Sequence, residues 1–153
     1  MKPLTTIAIA MLITAIATTA ALMADTLATK ITAETGTIDL DLQTATWTCG
    51  KAATTVTITH TKTGNTYTIQ IDVNPPRRSG DSCTVQLTYN NTGTIPIKIY
   101  TTSTTSSGNT CTATPDTTGQ IHPGDTETVN VYISCTGSSC TCTVTSTAKS
   151  WNQ

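Results

Sequence analysis

The sequence predicts an all-β chain: a single antiparallel β-sandwich, jelly-roll or Ig-like, stapled by disulfides after an N-terminal signal peptide. Three observations predict it. Thr fills 41 of 153 positions, and a β-branched side chain loses little in an extended backbone and fits a pleated, half-exposed face. Val, Ile and Leu recur with period two in short runs separated by Gly, Asn and Pro. Six cysteines, an even number, follow an apolar leader, which is the pattern of a disulfide framework in an exported chain. Only 11% of residues are charged and the formal charge is −1, so no basic field exists to attract a nucleic acid.

The leader comes first. Met1-Lys2-Pro3 carries one positive charge, and Leu4 to Ala24 is almost wholly apolar or Thr. Small residues close it after Ala21 or Ala24, so residues 1–24 read as a secretory signal peptide. Two rivals are a retained membrane anchor and a pilin-type leader cut before its apolar helix. The single Lys argues against the latter. The membrane is then a partner only before cleavage.

After the leader the apolar stripes mark the strands. Leu27, Ile31 and Ala33 share odd parity, whereas Ile38, Leu40 and Leu42 are even. Side chains alternate with period two, so one strand cannot keep both sets on one face. Residues 25–35 and the strand from Ile38 are therefore separate segments, with Gly36 as hinge or bulge. Val56, Ile58 and His60 then pair with Tyr67, Ile69, Ile71 and Val73 in a hairpin turned at Lys62-Thr63-Gly64-Asn65. Asn74 to Gly80, with two prolines and a closing glycine, is where the chain crosses between sheets. Cys83, Val85, Leu87 and Tyr89 form the next stripe, followed by a turn at Asn90 to Gly93. Ile95, Ile97 and Ile99 come next, and Pro96 assigns them to a sheet edge. Residues 101–120 read as a long exposed loop around Cys111. Val129, Val131, Ile133 and Cys135 follow a turn at His122 to Asp125, and a last short strand lies near Cys142 and Val144.

Cys49, Cys83, Cys111, Cys135, Cys140 and Cys142 are the disulfide candidates, and spacing does not choose among their pairings. Zinc is the rival, but the spacing lacks paired C-x₂-C elements and only His60 and His122 could assist. His60 continues the inward parity of Val56 and Ile58, so it reads as a strand-end side chain. Asp39, Asp41, Asp72, Asp81, Asp116 and Asp125 form no twelve-residue calcium loop. No nucleophile sits in a Gly-x-Ser-x-Gly setting. No catalytic residue, metal or cofactor is expected, and the chain is not expected to be an enzyme. Asn90-Asn91-Thr92 is an N-glycosylation sequon, and the outward Thr faces and the 101–118 stretch are candidates for O-linked sugar.

The N-terminal segment admits two readings. Residues 25–35 either complete their own sandwich or leave it and pair with the next subunit, with Leu27, Ile31 and Ala33 as anchors. A strand given in trans covers an edge that would otherwise template aggregation. Because that contact is head-to-tail it does not close, and a filament results.

Gly36-Thr37-Ile38-Asp39-Leu40, Asn91-Thr92-Gly93-Thr94-Ile95-Pro96 between strands, and His122-Pro123-Gly124-Asp125 before a long strand carry a resemblance. In that order they are similar to segments of the TasA/camelysin group, which includes biofilm-matrix fibre proteins and archaeal bundling pilins. The resemblance implies a jelly-roll-like subunit (residues 36–153) that polymerises with itself by donor-strand complementation, with lateral contacts between fibres. The chain is shorter, richer in Thr and cysteine-bearing, which favours the archaeal pilins. Camelysin-type proteins have been classed as metallopeptidases, but no His-Glu-x-x-His run is present. The alternative is a monomeric secreted Ig-like adhesive or ligand-binding module.

Overall fold

The structure, a computed structural model, describes residues 36–106 and 108–153. The expected signal peptide, and the expected donor segment with Leu27, Ile31 and Ala33, lie outside the described residues. The described body is an antiparallel β-sandwich of two four-stranded sheets. Its strands are β1 (Leu40–Cys49), β2 (Thr55–Thr63), β3 (Thr66–Asn74), β4 (Asp81–Asn91), β5 (Ile97–Thr105), β6 (Thr110–Thr114), β7 (Thr126–Cys135) and β8 (Cys140–Ser150). The first sheet has the order β1-β4-β7-β6 and the second β2-β3-β8-β5. Among the described residues the only helical element is a 3-10 turn, Pro76–Arg78. No helix there is long and apolar enough to cross a membrane.

The core forms where the period-two stripes of the two sheets meet. Ile69, Ile71 and Val73 on β3, with Cys142 and Val144 beside them on β8, face Val85, Leu87 and Tyr89 on β4 and Val129, Val131 and Ile133 on β7, all buried. Val, Ile and Leu carry this core with little aromatic help. Tyr89 bridges the sheets by donating to Ser146 Oγ at 2.8 Å, which satisfies two buried hydroxyls at once. Burial pushes the Tyr89 phenol well above its usual pKa, outweighing its hydrogen bond to Ser146. Tyr67 reaches from β3 to Asp41 Oδ1 on β1 at 3.1 Å.

The hairpin β2–β3 turns at Gly64-Asn65, with Gly64 at φ 57°, a left-handed conformation that glycine adopts freely. The Asn74–Gly80 stretch carries the chain from the second sheet to the first. β5 is an edge strand that begins just after Pro96. Three expectations need correction. The 101–120 stretch is not an exposed loop: β5 runs to Thr105, β6 occupies Thr110–Thr114, and Thr101 and Thr118 are buried. Thr118 Oγ1 accepts from the Ile99 amide at 2.9 Å, and Asp116 O accepts from the Thr101 amide at 2.6 Å. Polar Thr, Ser and Gly look like a loop in one dimension, but Thr needs only a partner edge to extend. The last strand is also not short. β8 has eleven residues and lies between β3 and β5. Finally, Asn90 and Asn91 are not in a turn but end β4.

Three disulfides close the framework: Cys49–Cys83, Cys111–Cys142 and Cys135–Cys140. The first joins directly opposed residues of β1 and β4, the second ties β6 of one sheet to β8 of the other, and the third joins β7 to β8. Such bonds persist in oxidising surroundings, so the body suits an oxidising, extracellular type of compartment.

Candidate functional site

The two long sides of the sandwich differ. On one, β5 and β6 lie against each other, the Cys111–Cys142 bond crosses between the sheets, and Ser103 Oγ donates to Cys111 O at 3.0 Å. On the other, the outermost strands are β1 and β2, and they leave a cleft of about 450 Å³ between them.

The local sequence explains what lines the cleft. β1 starts with Leu40 buried and Leu42 half-buried, as the even-parity stripe requires. The pairing with β4 then slips between Leu42 and Thr44. One extra residue at a bulge switches which side chains face inward, so beyond it Ala45 and Cys49 turn to the core. Trp47 shares their parity, yet it is 50% exposed, because no strand among the described residues lies over it. Across the cleft, Val56 is buried, Ile58 half-buried and His60 exposed. Their parity is inward, but burial fades along β2 as cover from the first sheet runs out. His60 is therefore not enclosed as a strand-end core side chain. Its ring lies 5.9 Å from that of Tyr67 and it lines the cleft with Leu42, Ala45, Trp47, Val56 and Ile58. Two core-forming faces are thus left partly uncovered beside two strand edges that, among the described residues, carry no partner strand.

Polar links define both ends of this side. At one, Lys62 Nζ lies 2.8 Å from Asp39 Oδ1 and Thr92 Oγ1 donates to Asp39 Oδ2 at 3.0 Å. These bonds, that of Lys62 foremost, hold the Asp39 carboxyl below its usual pKa and raise that of Lys62. At the other, Asp81 Oδ2 accepts from Thr54 Oγ1 and from the Lys51 amide, and the Thr54 bond leads in lowering its pKa. The Lys51 ammonium donates to Ser79 O at 2.7 Å, Ser79 Oγ and Gly80 O.

Gly36 is the first described residue, directly before the body that opens at Thr37. Asn90 is paired on both sides, with Asp41 and Thr126, so the acceptor Asn of the sequon lies in a strand, and only Thr92 falls past its end. Cys49, Asp81 and Cys83 form a close group of ligand-type atoms, but both sulfurs belong to the disulfide and are no longer thiolates. The cleft itself was missed by sequence reasoning. Trp47 on a Thr-rich strand was its one visible signal, and only the bulge at Gln43 shows which way that ring points. No family model, curated protein or solved structure matches the chain.

Proposed function

We propose that the chain is the structural subunit of an extracellular filament, in which residues 25–35 of one copy occupy the β1/β2 cleft of the next. The observation that carries this reading is the uncovered lining of that cleft, with Trp47 half-exposed beside half-buried Leu42, Ala45 and Ile58. Contiguous apolar surface bordered by polar residues marks a binding site, and an open strand edge is completed by an extended segment. Residues 25–35 have the matching pattern: Leu27, Ile31 and Ala33 share one parity, while Lys30 and Glu34 fall on the other. At about 3.3 Å per residue, eleven residues run the length of the ten-residue β1. The resemblance to archaeal bundling pilins, the leader and the disulfide framework point the same way. Because each subunit both gives and receives a strand, growth is open-ended.

The test is the secreted protein itself. Negative-stain microscopy is expected to show filaments whose N-terminal sequence begins at Asp25. Replacing Leu27 and Ile31 by Asp is expected to abolish filaments while the body still unfolds cooperatively. A synthetic peptide of residues 25–35 added to that variant is expected to raise its melting temperature by filling the cleft. If the wild-type chain stays monomeric at every concentration, with residues 25–35 protected from proteolysis, the segment completes its own fold. The monomeric adhesive module is then the correct reading.

A further inference from the structure

The outward positions of the first sheet are uncharged from the β1 bulge onward. Thr44, Thr46 and Thr48 on β1 meet Thr88, Gln86 and Thr84 on β4, and these in turn meet Thr128, Asn130 and Tyr132 on β7. Tyr132 is the exception in size. It sits on an inner strand of the sheet, yet is 51% exposed. Register places Thr84 on one side of it and Thr112 on the other, with Ser82, Ser134 and Thr110 in the next row. Together they line a shallow cleft of about 200 Å³. Elsewhere on this face polar groups bond to each other, as Thr88 to Thr128 at 3.2 Å and Gln86 to Asn130 at 3.3 Å. The hydroxyls around Tyr132 make no such side-chain bond among the described residues.

We propose that this face binds a neutral oligosaccharide, with the Tyr132 ring as its stacking platform. An exposed aromatic ring offers an apolar surface with a polar tip, which suits the C–H face of a pyranose. Ser and Thr hydroxyls both donate and accept, which suits the alternating donors and acceptors of sugar hydroxyls. Phosphate or carboxylate ligands would require a cation, and none lines the cleft. A protein partner fits poorly, because interface cores are depleted in Ser and this site offers a single aromatic anchor. The cleft is also smaller than the roughly 300–1,000 Å³ of enclosed small-molecule pockets, so the sugar ring would lie on the sheet. The site lies on the outer face, away from the β1/β2 cleft, and does not depend on polymerisation.

The experiment titrates the full secreted chain with soluble cello-, manno-, galacto- and chito-oligosaccharides by calorimetry. Saturable binding to at least one series is expected. Tyr132→Ala should weaken it by about tenfold or more, equivalent to about 1.4 kcal/mol, whereas Tyr132→Phe, which keeps the ring, should stay within about threefold. Thermal unfolding of both variants should match the parent, since the side chain is exposed. Variants that abolish filaments through Leu27 and Ile31 should bind sugar unchanged, which separates failure of this site from failure of the filament reading. Absence of saturable binding in all four series, or equal binding by Tyr132→Ala, overturns the proposal. So does a Tyr132→Ala chain whose only change is its state of association.

Discussion

Asn91 Nδ2 donates to the carbonyls of Ile95 and Ile121, at 2.9 and 3.0 Å, and its Oδ1 accepts from the Gly93 amide at 3.0 Å. The side chain is fully buried, so it ties two loop segments, β4–β5 and β6–β7, to the end of β4 where no water competes. Asn91→Ala leaves the Gly93 amide and the Ile95 carbonyl without these bonds, while the Ile121 carbonyl keeps the Ile97 amide, at about 1–3 kcal/mol for each buried group left unsatisfied. Relaxation makes such costs less than additive, so a loss of about 2–4 kcal/mol is expected in denaturant unfolding. A change within 0.5 kcal/mol of zero would show that solvent takes over the role. Gly93 has its own constraint: a Cβ there would lie 2.3 Å from Thr37 O and 2.7 Å from Asp39 N, which is why a glycine stands where the chain enters β1. Beside it the Asp39–Lys62 pair titrates. Its folded carboxyl is held low, so the pair's contribution is present above the unfolded carboxylate pKa of about 3.9 and is lost as pH falls through the lower folded value. For so exposed a pair that contribution is below about 1 kcal/mol. Asp39→Asn should therefore flatten only the acidic limb of stability against pH, a difference that added salt reduces.

At the scale of the elements, β1 decides the most. Its bulge between Leu42 and Thr44 lets one strand bury Leu40 at its start and aim Ala45 and Trp47 at the cleft further on. β5 and β6 do the opposite work, since their approach and the Cys111–Cys142 bond close the far side. That disulfide spans 31 positions in sequence, and removing a bond of such reach costs about 2–4 kcal/mol, largely through freedom regained by the unfolded chain. Replacing both cysteines by Ser should lower stability by that amount. Breaking Cys135–Cys140, which spans only 5, should cost less, because a shorter loop restricts the unfolded chain less. Equal losses from the two double variants, measured by thermal or denaturant unfolding, would contradict that ordering.

At the largest scale, the described body pairs a closed side with an open one. If the open side receives a strand from another copy, stability and assembly are one quantity, and the melting temperature of the secreted protein should rise with protein concentration. A variant lacking residues 25–35 should melt lower, independently of concentration, and form no fibres. A concentration-independent melting temperature in the parent chain would contradict assembly through the cleft. The outward faces add a second level. Rows of Thr, Ser, Gln and Asn keep the outward face of the first sheet uncharged beyond the β1 bulge, whereas Asp72, Lys98 and Lys149 stand outward on the second. Contacts made on the first should therefore respond little to salt.

Composition and period-two alternation by themselves determined the all-β class, the hairpin β2–β3, the crossing at Asn74–Gly80 and the stripes that became the core. These are local properties, because β-branched residues and alternating burial act through near neighbours. The same locality misled at residues 101–120, where Thr and Ser resemble a loop until β7 and β8 supply edges to pair with. Tertiary structure alone decided the disulfide partners, the strand order, the Gln43 bulge and hence the direction of Trp47. It also decided that Val56, Ile58 and His60, one stripe in sequence, grade from buried to exposed. Burial depends on what lies opposite, and what lies opposite β2 is set by chain reversals many residues away.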